Sequence, residues 1–222
     1  MKTIAIIVAG GEGERFGLRK QFTPILGKAM LAHTVAKFDG LLKIIPIPRD
    51  AFPLANEIAK KYNFKDYVFV IGGETRQRSV RKALRAIATH NLVLPDAIVI
   101  TDANRPLIPS SCITGGIKLL DTCDCVVSVC RPTNTMAMID EEYRVLPRKN
   151  MYELLMPQFF QFDVIRKAHE RTENYDATDD SQLLDPEKSV IKTLYISPWE
   201  GMKLTYASDR GIFEMLMKER GE

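Results

Sequence analysis

The sequence predicts an α/β fold in which a mostly parallel central sheet is covered by helices on both faces, three layers in all. Three observations carry that expectation. Val- and Ile-rich runs of strand length alternate with longer segments whose apolar residues recur at helical spacing. Most of the runs lack polar alternation, as strands buried on both faces do. The chain has 222 residues, 45% hydrophobic and 27% charged, which suits one globular domain spanning residues 1–222 and neither a fibre nor a disordered chain.

The elements follow in order. The first strand is Thr3 to Val8, within an apolar run from Ile4 to Ala9 that is too short to cross a bilayer and lacks the flanks of a leader peptide. Further strands are expected at Leu41 to Ile47, Tyr67 to Ile71, Ala97 to Thr101, Val126 to Val129 and Val190 to Ile196. Helical spacing covers Met30 to Phe38, Asp50 to Tyr62, Arg78 to Thr89, Pro109 to Leu120, Asp163 to Arg171 and Ser208 to Lys218. Such βα alternation gives parallel strands with crossover helices. Residues 131–162 break the rhythm: prolines and scattered charges surround short apolar pieces, Met136 to Ile139 and Tyr143 to Leu146. A β-arm projecting from the core is expected there.

Composition narrows the function classes. A net charge of +3 is too small to signal a nucleic-acid binder, and no apolar run near the start suggests a membrane anchor. Cys112, Cys123, Cys125 and Cys130 fall on or beside apolar runs, in C-x-C rather than C-x-x-C spacing. With His33, His90 and His169 as the only histidines, a zinc site is poorly supplied. Reduced, buried thiols in a cytoplasmic protein are expected.

In open parallel sheets ligands bind beyond the carboxyl ends of the strands, so the residues at those ends matter most. The first strand runs into Ala9-Gly-Gly-Glu-Gly-Glu-Arg-Phe-Gly17. Gly10, Gly11, Gly13 and Gly17 allow close backbone approach and expose N–H donors to an anion, and Arg15 adds a charged fork. Glu12 and Glu14 are expected to face away from any phosphate. The spacing matches neither the dinucleotide fingerprint nor the P-loop, and no acid follows the second strand to take a ribose diol; an NAD(P)-dependent oxidoreductase is therefore disfavoured. Lys20 follows within reach of phosphates. Asp102 ends a strand, where it can meet a metal or a ribose hydroxyl, and Arg105 comes three residues later. Gly72-Gly73 turns into a helix start carrying Arg76 and Ser79, and helix starts favour polar and anionic groups. Arg78, Lys82 and Arg85 read as a solvated basic helix face.

Taken together these pieces resemble the 2-C-methyl-D-erythritol 4-phosphate cytidylyltransferases and their relatives that activate ribitol phosphate. The resemblance runs nearly end to end. Besides the features above it rests on Lys20-Gln21-Phe22, His33-Thr34, Asp102-Ala103 with Arg105-Pro106, Thr135, Arg148, Pro157-Gln158, Thr178-Asp179-Asp180, and Lys203 within Gly201 to Thr205. It implies a Rossmann-like nucleotidyltransferase fold that transfers CMP from CTP to a phosphorylated polyol or sugar, with Mg²⁺ as cofactor.

By the same resemblance, the backbone at Ala9, Gly10, Gly11 and Gly13, with Arg15 and Lys20, grips the triphosphate and the charge developing at its α-phosphorus. Gly72, Gly73 and Ser79 read the cytosine edge, with Arg76 bracing that turn. Asp102 meets the ribose or the Mg²⁺ shell, assisted by Ala103 and Arg105. Thr135, Arg148, Thr178 and Lys203 serve the acceptor's phosphate, Lys203 also acting in catalysis. The arm is expected to build a homodimer and to lend Thr135 and Arg148 to the neighbouring site. The leading acceptor is 2-C-methyl-D-erythritol 4-phosphate, for isoprenoid precursor synthesis. Ribitol 5-phosphate or another surface-polysaccharide precursor is the alternative, and a catalytically inactive nucleotide-binding module is the alternative of another class. The chain departs from the family pattern at Arg19, where a proline precedes the lysine, at Asn104, where the residue is small, at Asn134, where an acid is usual, and at Met156, where a threonine precedes Pro-Gln.

Such chemistry needs no activating base. A phosphate monoester is already ionised near neutral pH, its second pKa being about 6. The protein must align two polyanions and neutralise the transition state, a task for Lys, Arg and a divalent cation.

Overall fold

A computed structural model describes residues 1–11, 19–89, 94–172 and 177–221. In chain order its strands are β1 (Thr3–Val8), β2 (Pro24–Ile25), β3 (Lys28–Ala29), β4 (Leu42–Ile47), β5 (Tyr67–Ile71), β6 (Ala97–Asp102), β7 (Cys125–Cys130), β8 (Ala137–Ile139), β9 (Tyr143–Val145), β10 (Glu153–Gln161) and β11 (Ile191–Tyr195). The helices are α1 (Met30–Ala36), α2 (Phe52–Lys61), α3 (Arg76–Thr89), α4 (Ser110–Leu119), α5 (Phe162–Arg171) and α6 (Arg210–Glu219). Every strand and helix expected outside the 131–162 segment is present.

Seven strands form one sheet in the order β11-β7-β10-β6-β1-β4-β5. All neighbours are parallel except where β10 meets β6 and β7. Strand pleating sends alternate residues to opposite faces, and the two faces build separate cores. Ile4, Ile6, Ile98 and Ile100 face Val80, Leu84 and Ile87 of α3 and Ile165 of α5. Ala5, Ile7 and Val99 face Leu31 and Val35 of α1, Ala55 of α2 and Ile113 of α4. Each fully buried Ile contributes about 1.5–3 kcal/mol, so the uninterrupted Val and Ile runs are what hold the three layers together. A smaller cluster joins Leu204 to Ile25, Met30 and Leu107 and to Phe213 and Met217 of α6. It fastens the segment after β11 near the carboxyl end of β6.

The expected arm is shorter than residues 131–162. β8 and β9 form an exposed antiparallel hairpin, but β10 lies inside the sheet between β7 and β6, buried from Leu155 to Phe160. The sequence hides this strand because it contains Pro157, which cannot donate to a ladder. The pairing with β7 tolerates the proline through a register shift between Leu155 and Gln158, and the Pro157 carbonyl accepts from Ser128 Oγ at 2.6 Å. Phe159 and Phe160 then fill one core each.

The sheet order reverses at β1, with β4 on one side and β6 on the other. Val8 and Asp102 are paired in register, and Ala103 N–H donates to the Val8 carbonyl at 2.9 Å. The carboxyl ends of these two strands, and the turns that follow them, therefore form one rim.

Candidate active site

At the end of β1 the chain turns at Gly10, where a Cβ would lie 3.0 Å from Ser79 Oγ; the glycine lets the turn sit against α3. Gln21 is buried and donates through Nε2 to the carbonyls of Ala9 and Gly11, both at 2.9 Å, so the turn is pinned from behind. Lys20 opens the short 3-10 turn that carries Gln21. Arg19 pairs with Asp50 at 2.9 Å, tying the returning chain to the segment ahead of α2. Gly13 and Arg15, with Glu12 and Glu14, lie outside the described residues.

The second turn leads from β5 into α3. Gly72 N–H donates to the Ile47 carbonyl at 2.8 Å. At Gly73 a Cβ would fall 2.4 Å from Arg78 Cβ, so a side chain is excluded. Ser79 Oγ accepts from Gly73 N–H at 2.9 Å and donates to the Thr75 carbonyl at 3.0 Å, while Thr75 Oγ1 accepts from Arg78 N–H at 3.2 Å. Lys82 Nζ donates to the Gly72 carbonyl at 2.7 Å. Ser79 and Lys82 brace the turn, a task expected of Arg76.

Arg76 reaches elsewhere. Its Nε donates to Asp102 Oδ1 at 3.2 Å and its NH1 to Asp180 Oδ2 at 2.6 Å, and Asp180 Oδ1 accepts from His169 Nε2 at 3.2 Å. The other oxygen of Asp102 accepts from Arg105 Nε at 3.1 Å and from Lys203 Nζ at 3.0 Å. Two buried carboxylates and an arginine thus alternate from α5 to the rim. Burial alone would push the Asp102 carboxyl up, but Lys203, Arg76 and Arg105 outweigh it and hold it well below the usual carboxylate range. Burial likewise opposes ionisation of Asp180, and Arg76 and His169 reverse the sign. Burial works against the Arg76 charge too, yet Asp180 and Asp102 raise its pKa overall. Removing one member of such a set would strand the others, which is why buried pairs cost about 3–5 kcal/mol to break.

Of these groups, Arg76, Asp102 and Lys203 face a cavity of about 570 Å³ at the rim. Of the residues singled out from the sequence, Ala9, Gly10, Gly11, Lys20, Gly73, Arg76, Ser79, Asp102, Ala103 and Lys203 line it. Gly72 sits one residue behind the wall, held by its backbone bonds. Arg105 is also behind it: its guanidinium is shared between Asp102 and the Gly201 carbonyl. Thr135 and Arg148 are exposed residues of the arm, Arg148 NH1 donating to the Thr133 carbonyl at 2.9 Å, and neither lines the cavity. Thr178 is exposed next to Asp179 and does not line it either.

Gln21, Thr75 and Asp180 carry no role that the sequence alone assigns. Their work is to hold backbone or another side chain, and no spacing signals that; only their presence inside the quoted motifs marked Gln21 and Asp180. The His33-Thr34 pair gains a physical meaning here, since Thr34 Oγ1 donates to the Ala103 carbonyl at 2.8 Å and His33 Nε2 to that of Ile25 at 2.9 Å. Met156 is buried with its Sδ 3.7 Å from Arg76 NH2.

The chemistry open to this arrangement is anion handling. Two glycine turns present backbone, Lys20, Arg76 and Lys203 supply charge, and Asp102 and Glu74 are the carboxylates among the described lining residues. No group of three or more His, Cys, Asp or Glu that could hold a metal occurs among the described residues.

Comparison with known proteins identifies the family. The model of the family described as "IspD: 2-C-methyl-D-erythritol 4-phosphate cytidylyltransferase" matches residues 3–219. A Dehalococcoides mccartyi protein named 2-C-methyl-D-erythritol 4-phosphate cytidylyltransferase is 32% identical over 98% of this chain and 97% of its own length. A Clostridium acetobutylicum protein of the same name is 31% identical over 97% of both chains. Among solved structures, 2-C-methyl-D-erythritol 4-phosphate cytidylyltransferase from Thermus thermophilus superposes with a TM-score of 0.80 at 25% identity, covering 98% of this chain and all of the other. The 4-diphosphocytidyl-2C-methyl-D-erythritol synthase from Anaerococcus prevotii superposes with a TM-score of 0.82 at 22% identity, covering 97% of this chain and 98% of the other, a likeness of fold. The family match spans almost every residue from β1 to α6, and with it this chain belongs to the 2-C-methyl-D-erythritol 4-phosphate cytidylyltransferase family.

Proposed function

We propose that this chain transfers CMP from CTP to 2-C-methyl-D-erythritol 4-phosphate, a step of isoprenoid precursor synthesis. The single observation that carries the reading is the rim cavity, where Lys20, Arg76, Lys203 and two glycine turns converge around Asp102. The membership of the chain in its family and the names of its relatives support the choice of acceptor over ribitol 5-phosphate.

An oxygen of the acceptor's phosphate attacks the α-phosphorus of CTP in line. The new P–O bond forms as the bond from the α-phosphorus to the bridging oxygen of the β-phosphate breaks, and pyrophosphate leaves with that electron pair. Lys20 sits at the rim to neutralise the α- and β-phosphates, and Lys203 faces the approaching monoester. Backbone N–H groups of the Gly10–Gly11 turn take phosphate oxygens, while the Gly73 turn and Ser79 frame the base. Preorganised charge of this kind accounts for about two to three orders of magnitude per contact. Both Asp102 oxygens already accept from Arg76, Arg105 or Lys203, so Asp102 would meet Mg²⁺ through the ion's water shell, and the ion's chemistry would be to neutralise triphosphate charge.

The arm supplies the acceptor half across a homodimer. Met136, Met138, Ile139, Tyr143 and Val145 are exposed on the β8–β9 hairpin, and an apolar two-stranded hairpin of this kind gains stability by packing on a partner. Thr135 and Arg148 lie on the same arm and would complete the neighbouring site. Thr178 is placed beside the acceptor by the resemblance alone.

Purified protein given CTP, Mg²⁺ and a panel of phosphorylated acceptors tests the reading through pyrophosphate release. Turnover with 2-C-methyl-D-erythritol 4-phosphate is the expected result. Turnover confined to ribitol 5-phosphate would overturn the acceptor, and CTP binding without pyrophosphate from any acceptor would overturn the activity.

A further inference from the structure

Lys203 sits in a stretch with no helix or strand of its own, between Gly201 and Leu204. A lysine carries four rotatable stem bonds, so its ammonium is placed no better than its backbone. Besides a local bond, Thr205 Oγ1 donating to the Lys203 carbonyl at 3.1 Å, three contacts with the rest of the chain fix that backbone. Leu204 is fully buried in the small cluster with Ile25, Leu107 and Phe213. Gly201 gives its carbonyl to Arg105. The third is a two-way clamp to Asn104: the Leu204 N–H donates to the Asn104 carbonyl at 3.0 Å, and Asn104 Nδ2 donates to the Leu204 carbonyl at 2.6 Å. The partners are 100 residues apart in sequence, and Asn104 is buried.

We infer that Asn104 is the positioning residue for Lys203. Its main chain continues directly from Asp102 and Ala103, so the clamp fixes the Lys203 backbone to the same rigid strand end that carries the carboxylate 3.0 Å from Lys203 Nζ. Both bonds of the clamp fall on the residue immediately after Lys203. Loss of the side-chain donor leaves the buried Leu204 carbonyl short of its partner, and the Leu204–Thr205 peptide, whose N–H stays on Asp209 Oδ2, must shift to regain one, displacing the backbone that carries the ammonium. Gly201 and Arg105 fix only the other side of the lysine. The inference deepens the function proposed above and rests on Lys203 acting on the acceptor's phosphate.

A double-mutant cycle in the full-length protein tests it, with Asn104→Ala, Lys203→Ala and the pair assayed for pyrophosphate release and, separately, for CTP binding. Asn104→Ala is expected to lower kcat/KM for the acceptor about ten- to a hundredfold, the scale of a small misplacement of a reacting group, with CTP affinity nearly unchanged. In the Lys203→Ala background the same change should cost little more, because the group it positions is gone. Asn104→Leu, which keeps the volume and removes the donor, should behave as Asn104→Ala does and carries the test if the alanine variant folds poorly. Fully additive losses, or an equal fall in CTP affinity, would overturn the inference and make Asn104 a general support of the fold. Undiminished turnover in Lys203→Ala alone would instead overturn the reading of Lys203, and the inference with it.

Discussion

The rim of the sheet and the arm differ in how much of their chemistry is already assembled within one chain. At the rim, Asp102 is buried and takes three cationic partners, from α3, from the turn after β6 and from the stretch ahead of α6, so the site's charges are set before any ligand arrives. On the arm, Thr135 and Arg148 are exposed, and the hairpin shows Ile139 at 78% and Tyr143 at 69% exposure. Buried pairs in a low dielectric are rigid and individually costly to lose; exposed groups on a two-stranded hairpin gain definition only from what they pack against. The nucleotide half of the proposed site is therefore carried by the fold, and the acceptor half would take its definition from whatever packs against the arm.

The difference can be broken most sharply at Asp102. Asp102→Asn removes the charge that three cations share, and turnover is expected to fall by at least two to three orders of magnitude, with a stability loss of about 3–5 kcal/mol in denaturant unfolding. Retention of near-normal turnover would mean that the rim is a structural ion-pair cluster. The arm should answer differently. Arg148→Ala is expected to raise the acceptor's KM roughly tenfold, the effect of one charge-assisted contact, while CTP binding and the unfolding midpoint stay nearly constant. A loss of CTP affinity instead would place the arm over the nucleotide.

Acid should separate the two regions as well. The folded-state pKa values of Asp102 and Asp180 lie below the ordinary value, so their stabilisation is complete above about pH 4 and is lost as the pH falls through the lower folded-state values. Melting temperature measured against pH should hold steady to mildly acidic conditions and then drop, and Asp180→Asn should flatten that drop. An acid limb unchanged by Asp180→Asn would contradict the burial and pairing described for it.

The smallest effect concerns the thiols. All four cysteines are buried and free, burial pushing Cys112 up to about 11 and raising the others. A thiol reagent at pH 8 should react slowly with the native protein and fully after denaturation; fast native labelling would show that the sheet opens near β7.

Most of the fold was legible because burial on both faces of a parallel sheet writes itself as unbroken Val and Ile, as in β1 and β6. The arm's extent was not, because Pro157 reads as a break while a register shift accommodates it inside a central strand. At the site, glycines and single charges at strand ends could be read locally. The pairings could not: Arg76 meets Asp180 across 104 residues and Asn104 meets Leu204 across 100, and no spacing rule connects them. For the same reason Arg76 was expected at its own turn, where Ser79 serves instead. The basic stripe on α3 is the solvated face expected of it: Arg78, Lys82 and Arg85 are exposed, and with Arg81 they line a second depression there.

That stripe supplies the contrast for the most direct test. In a crystal soaked with CTP and Mg²⁺, the triphosphate is expected over the Gly10–Gly11 turn with its phosphates in ion-pair reach of Lys20. A triphosphate seated along Arg78, Arg81 and Arg85, with the rim cavity empty, would contradict the account.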